Sequence, residues 1–316
     1  ESEGRQMAGG GTKAVVAAMI ANAVIAVAKF VAAAVTGSSA MLSEGIHSVA
    51  DTGNQALLLL GNRRSHKPAD VRHPFGYGQE LYFWSLIVAM ILFGLGGGFS
   101  MYEGIKHLSH PEVPKDPIWI YSVLGVAFVV EALALRVALG ELGGTGRGWG
   151  LWKRLRVCKD PRIFVPVAED LAALIGVVVA FLGVFLARTF DLPVLDGAAS
   201  IVIGIILACV AVFLGYETRA LLVGETISED LEQQIRRIVE EDDAVLELVR
   251  LMGIHLGPEE ILLNLGVKFR PGAGPESVAQ AVERVERRIR AVEPRATRVF
   301  VEPEIAADEG GLEVPF

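Results

Sequence analysis

The sequence predicts an α-helical membrane protein, with six transmembrane helices followed by a C-terminal cytoplasmic α+β domain of αββαβ order. Three observations carry that prediction. The 316-residue chain is 52% hydrophobic with a mean hydropathy of +0.45, too apolar for one ordinary water-soluble core. Apolar runs of about 20 residues, long enough to cross hydrocarbon, occur six times. After residue 215 the pattern changes to amphipathic segments rich in charge. The boundaries that follow are 1–215 for the membrane domain, 216–305 for the α+β domain and 306–316 for a disordered end.

The spans lie near residues 14–35, 39–61, 81–105, 118–140, 163–187 and 193–215. The first is too long for a signal peptide, contains Asn22 and Lys29, and lacks a small-residue cleavage site. Loops between spans two and three and between spans four and five carry Arg63, Arg64, Lys67, Arg72, Arg147, Lys153, Arg154, Arg156, Lys159 and Arg162. The opposite loops carry only Lys106, Lys115 and Arg188. By the positive-inside rule both termini are cytoplasmic.

In the tail, Ser228 is placed to cap a helix whose first turn holds Glu229 and Asp230 and whose apolar face holds Leu231, Ile235 and Ile238. "ILLNLGVKF" alternates Leu263, Leu265, Val267 and Phe269 against Asn264 and Lys268, as a half-buried strand does. Val278, Val282, Val285, Ile289 and Val292 step as a helix, and "TRVFVE" closes as a strand. From Glu225 onward there are 20 acidic and 11 basic residues, a net of −9. An acidic tail excludes a nucleic-acid partner, because phosphate binding needs a basic face. Two cysteines, Cys158 and Cys209, support neither a disulfide framework nor a Cys-x-x-Cys metal site.

The informative segment is "SEGIHSVADTGNQ" in span two. On a helix Glu44, His47, Asp51 and Asn54 form one stripe, spaced by three, four and three. Ionisable groups in a bilayer are costly unless paired or hydrated, so such a stripe faces a bundle interior or a water-filled path. An imidazole and a carboxylate one turn apart supply two ligands to a divalent metal. The competing reading is a hydrogen-bonded stripe that only joins helices. Span five offers the partner set in "VPVAEDLAALIG", where Glu169 and Asp170 follow Pro166. Neighbouring side chains diverge by roughly 100°, so one of the two points more directly at span two unless Pro166 distorts the helix.

"GSSAMLSEGIHSVADT", "HPFGYGQELYFW", the acidic motif in span five and "LDGAAS" entering span six together resemble the cation diffusion facilitators. These are six-span transporters of divalent metals with a cytoplasmic α+β tail, and the resemblance covers nearly the whole chain, closest to the zinc transporter nine-like branch. It implies a transport site at His47 and Asp51 in span two and a pair in span five, where Asp170 matches the second ligand. The first falls on Pro166, and Glu169 is its substitute.

One imidazole with three carboxylates sets manganese, iron or cobalt beside zinc, although a mixed nitrogen and oxygen set suits tetrahedral zinc. The resemblance also implies a loop site at Asp70 and His73. Its other histidine is replaced by Tyr77, so weak metal binding and a simple structured turn both remain open. His255 is the single histidine of the tail, and no binuclear site is expected there.

Glu44, Asn54 and Asp196 are candidates for an ion path or proton relay. Lys29, Asn22, Glu131 and Ser200 are weaker candidates; Lys29 alternatively snorkels to an interface and Asp196 alternatively caps span six. Glu103 and His107 are read as solvated. The function implied is export of a divalent metal, zinc first, in exchange for protons by alternating access. A manganese, iron or cobalt exporter, or a metal sensor or scaffold that no longer transports, are the alternatives.

No phosphate-binding loop or His-Glu-x-x-His motif occurs, so ATP hydrolysis and metalloprotease chemistry are not indicated and the protein is read as a non-enzyme without a resident cofactor. The partners are divalent metal ions, protons, membrane lipid and, from the resemblance, a second copy in a homodimer. A prokaryotic inner (plasma) membrane is the default, since no Arg- and Ser-rich transit segment precedes span one.

Overall fold

The computed structural model describes residues 19–20, 22–111, 117–142 and 150–304. Expectations for residues 14–18, for Lys115 and Arg147, and for the 306–316 end lie outside the described residues. Contacts divide the chain into two units: one extends to Ser65 and resumes over Glu80–Arg219, and the other joins His66–Gln79 to the chain from Ala220 onward.

The first unit is helical. Helix α1, Asn22–Thr36, ends where Gly37 takes a left-handed conformation, φ +73°, which reverses the chain at little steric cost. Helix α2 spans Ser39–Ser65. Helix α3, Glu80–Ile91, runs through a π-helical segment, Leu92–Gly98, into α4, Phe99–Ser109. Then come α5 (Pro117–Glu141), the short α6 (Leu151–Val157), α7 (Pro161–Thr189) and α8 (Val194–Val223). Among the described residues, four helical stretches are long and apolar enough to cross a membrane: Glu80–Ser109, Ile118–Glu141, Pro161–Thr189 and Val194–Val223. The last continues past the predicted end at 215.

Many large apolar side chains point outward, among them Val24, Val27 and Val31 on α1, Met90 and Phe93, and Val126, Val129 and Leu133 on α5. In water such a surface would drive aggregation, whereas in lipid it carries no penalty. The protein is an integral membrane protein.

Local chemistry sets the helix ends. Asp160 caps α7 by accepting from the Arg162 backbone N–H, Pro161 takes the first helical position, and the Arg162 guanidinium clasps the same carboxylate at 2.7 Å. Pro166 lies inside α7 without interrupting it. Close to the N-terminus only one intrahelical bond is forfeited, and the predicted local distortion does not break the helix.

Between helices, small residues decide the approach. Gly104 lies against the Gly197 carbonyl and Ile201, and Gly204 against Met101 and the Gly97 carbonyl. The two chains thus meet backbone to backbone, the packing that small residues permit in lipid. Helix α2 packs on α3, α4, the π-helical segment and α7, and α5 packs on α7, so α2 occupies the centre of the first unit.

The second unit is a three-stranded sheet backed by two helices. Its elements are α9 (Glu229–Glu240), β1 (Val245–Gly257), β2 (Glu260–Phe269), α10 (Pro275–Val292) and β3 (Arg298–Pro303), the predicted order. Strands β1 and β2 are antiparallel, and β2 and β3 parallel with α10 as the crossover. Ser228 caps α9 by accepting from the Leu231 backbone N–H. Leu263, Leu265 and Val267 enter the core with Ile235, Val239, Val285 and Ile289.

Helix α10 forms over Pro275–Val292, as its spacing predicts. Ala281 is fully buried between Val278 and Val285, whereas Val292, the last residue of the helix, is 50% exposed.

The 66–79 segment is a tight turn. Asp70 Oδ1 accepts from the backbone N–H groups of Arg72 and His73 at 2.9 and 2.7 Å, and Oδ2 accepts from the Tyr77 hydroxyl at 2.7 Å. Gly76 adopts φ +88°. Gly78 seats directly on the Leu256 carbonyl and Gly257, where any Cβ would collide. The hydrogen bonds from Tyr77 and from the His73 backbone hold the Asp70 carboxyl below its ordinary range.

Two measurements test this packing. Gly104→Leu inserts a side chain where Gly197 and Ile201 leave no room, so folded monodisperse protein in detergent is expected to be lost on size-exclusion chromatography, while Gly125→Leu, which faces open space, is expected to behave as wild type. In the tail, Arg284 donates to both Asp242 oxygens at 2.9 Å and thereby holds that carboxyl below its ordinary value. The stabilisation is therefore present above the ordinary carboxylate range, about pH 4, and lost as pH falls through and below it. Asp242→Asn is expected to weaken hydrogen-exchange protection of residues 229–303 at neutral pH and to flatten its decline toward acid.

Candidate metal centre

Every member of the stripe on α2 faces the protein interior. Ser43, Glu44, His47, Ser48, Asp51 and Asn54 are all buried, because α2 turns this face toward α7 and away from lipid. His47 Nδ1 stands 3.3 Å from Asp51 Oδ1. Neither His47 nitrogen nor Asp51 Oδ1 has a hydrogen-bond partner. Buried polar atoms are rarely left so, and each unsatisfied one costs about 1–3 kcal/mol, which a metal ion would recover.

Helix α7 brings the second set. Asn54 Nδ2 donates to Glu169 Oε1 at 2.6 Å, so Glu169 points at α2. Asp170, one residue on, is half-buried and interacts electrostatically with Glu131 of α5. Asp51 in turn lies within electrostatic reach of Glu169, Glu131, Asp170 and Lys29. Among the described residues no group of three or more His, Cys, Asp and Glu is gathered at metal-holding distance. The structure thus brings His47 and Asp51 together on α2 and turns Glu169 of α7 toward α2 through Asn54.

The remaining candidates fall elsewhere. Asp70 and His73 are 3.4 Å apart in the exposed turn, with Asp70 already accepting from Tyr77 and two backbone groups. Asp196, in the first turn of α8, caps a different helix from the one it belongs to: Oδ2 accepts from the Ser39 backbone N–H at 2.6 Å and Oδ1 from the Ser38 hydroxyl at 2.7 Å. A carboxylate there satisfies the free Ser39 N–H at the start of α2 and complements the helix dipole. His107 is buried, with Nε2 3.7 Å from Asp196 Oδ2, rather than solvated as its place near the membrane boundary suggested. Ser43 and Ser200 share a short hydrogen bond just below. His255 is buried in the tail sheet.

Lys29 departs most from its sequence reading. It does not snorkel: its side chain is fully buried, and Nζ donates to Glu44 Oε2 at 2.9 Å and to the Ser48 hydroxyl at 2.8 Å. The available signal was Glu44 itself, a carboxylate in the same apolar region that required a counter-charge.

A bundle that turns large apolar side chains outward and carries unpartnered polar atoms inside is an integral membrane protein. A family model, the cation efflux transmembrane domain, matches residues 15–223; the chain belongs to the cation efflux family, the cation diffusion facilitators. It is similar to the proton-coupled zinc antiporter SLC30A9, mitochondrial, of Xenopus laevis, 34% identical over 259 residues, which are 81% of this chain and 46% of that protein. It is also similar to the magnetosome protein MamB of Magnetospirillum gryphiswaldense, 25% identical over 86% of this chain and 87% of that one. The manganese efflux system protein MneP of Bacillus subtilis is 24% identical over 79% and 81%. The chain spans about half the length of the SLC30A9 relatives it matches.

The Asp196 cap is open to test. Asp196→Ala leaves the buried Ser39 N–H and Ser38 hydroxyl at the start of α2 without this acceptor, so a loss of about 1–3 kcal/mol is expected. Thermal unfolding in detergent, with hydrogen exchange at residues 39–42, measures it.

Proposed function

We propose that the protein exports divalent metal cations, zinc first, by proton-coupled antiport with alternating access. The observation that carries this reading is the buried His47–Asp51 pair with its unsatisfied atoms, opposite Glu169 and Asp170 in a chain of the cation efflux family. These four residues are the proposed transport ligands. Neutral imidazole is the ligating form of His47, so metal arrival displaces protons from the site and protons arriving from the far side displace metal. Transport needs α2 and α7 to close the last gap around the ion and to reopen on the other side, which fits ligands held on two separate helices.

Six spans, with α1 and α2 added to the four apolar helical stretches, and cytoplasmic termini complete the reading. The basic loops support that orientation. The bacterial relatives support a prokaryotic plasma membrane. A homodimer formed through the tail is supported by apolar side chains left on its sheet, including Met252 and Phe300, 44% and 46% exposed. At Asp70 and His73 any metal binding competes with the turn that uses Asp70 as its acceptor, so that site is proposed to be at most auxiliary.

A manganese exporter is the second reading. It is favoured by the three carboxylates among the four proposed ligands and by the likeness to a protein named for manganese efflux.

The deciding experiment is metal uptake into proteoliposomes with an interior metal-sensitive dye, with and without a proton gradient. Gradient-dependent zinc uptake, abolished by Asp51→Ala, is the expected result. Uptake of manganese but not zinc selects the second reading, and no uptake of any divalent metal overturns both.

A further inference from the structure

We propose that Lys29 is a specificity-determining residue, a resident cation that occupies one oxygen of Glu44 and so keeps that carboxylate out of the metal's coordination shell. This deepens the metal-transport reading and rests on it.

Glu44 lies one helical turn before His47 on the stripe that points into the bundle, the place from which an additional oxygen ligand would reach an ion held by His47 and Asp51. The structure blocks that use from two sides. Lys29 Nζ, reaching from α1, holds Oε2 at 2.9 Å and braces itself on Ser48 at 2.8 Å. Oε1 has no hydrogen-bond partner and is pressed against Gly176 of α7, where a Cβ would collide with it.

The Lys29 and Glu44 side chains are both fully buried, so neither charge is relieved by water and each needs the other. Among the described residues, the carboxylates that interact electrostatically with Asp51 are Glu131, Glu169 and Asp170, contributed by α5 and α7, while Asp196 of α8 is engaged at the start of α2. Lys29 is the cation that interacts electrostatically with Asp51 and Glu131 as well as with Glu44.

Consider the interior without the ammonium. Glu44 would then be an unpaired carboxylate beside a cation site, and a metal would recruit it. Each added carboxylate oxygen raises coordination number and favours harder ions that take six oxygen ligands over tetrahedral zinc. A lysine in this position therefore limits the ligand set by electrostatics rather than by size. Changes to groups that support a metal site typically alter its affinity about 10- to 100-fold, and a selectivity change of at least about tenfold is the corresponding expectation here.

The test uses Co2+ as a spectroscopic probe of the full-length protein in detergent, with zinc and manganese uptake in proteoliposomes. Wild type and Lys29→Arg are expected to show the intense visible bands of four-coordinate Co2+. Lys29→Met is expected to shift to the weak bands of a higher-coordinate, oxygen-richer site and to raise the manganese-to-zinc uptake ratio by at least about tenfold. The double variant Lys29→Met/Glu44→Gln, which removes both charges, is expected to recover the wild-type spectrum and ratio, as a merely structural role for Lys29 would not allow.

A Lys29→Met spectrum and ratio equal to wild type, or a double variant as altered as the single one, overturns the proposal. Should Lys29→Met fail to fold, Glu44→Gln decides: a Co2+ spectrum like wild type supports it, and a lost or altered one makes Glu44 a ligand and overturns it. Wild type that binds no Co2+ and moves no metal overturns the transport reading itself, an outcome separate from the others.

Discussion

The cost of placing ionisable groups inside a bilayer organises the membrane unit. Helix α2 carries Glu44, His47 and Asp51 into the interior, and each such group requires a partner, water or an ion. The rest of the bundle supplies them one by one. From α1, Lys29 neutralises Glu44; from α7, Glu169 takes the Asn54 amide; and from α8, Asp196 caps the first turn of α2. Unsatisfied buried atoms remain on both His47 nitrogens and Asp51 Oδ1, and also on Glu44, Asn54, Ser100, His107 and Thr218. His47 and Asp51 stand out because two ligand-type side chains one helical turn apart are left so together.

That balance requires close helix approach. Gly97 and Gly104 face Gly204 and Gly197 with no side chain between the backbones, and Gly61 accepts the Trp84 side chain between α2 and α3. Gly176 clears the space into which Glu44 projects. In lipid, where apolar burial gives no net drive to association, such contacts carry the packing through dispersion and geometry. The glycines are therefore as much part of the site as the residues they let approach.

In the second unit the "HPFGYG" segment becomes a turn for two separate reasons: Gly76 needs a left-handed backbone, and Gly78 needs the absence of a side chain above the Leu256 carbonyl. The Tyr77 hydroxyl donates to the Asp70 carboxylate, which ties the two ends of this turn together.

Sequence alone determined four of the apolar spans, the αββαβ order of the tail and the polar stripe of α2, because all three are patterns along one chain and need no partner to be read. The pairing of Lys29 with Glu44, the capping of α2 by a residue of α8, the burial of His107 and the choice of Glu169 as the side chain that meets α2 were decided only by tertiary structure. Each joins groups distant in sequence, and a buried charge read alone announces that it needs a partner without saying which helix provides it. The same limit applies to Ala281 and Val292 on α10: periodicity identifies the helix, but only the packed structure shows which residues along it are buried.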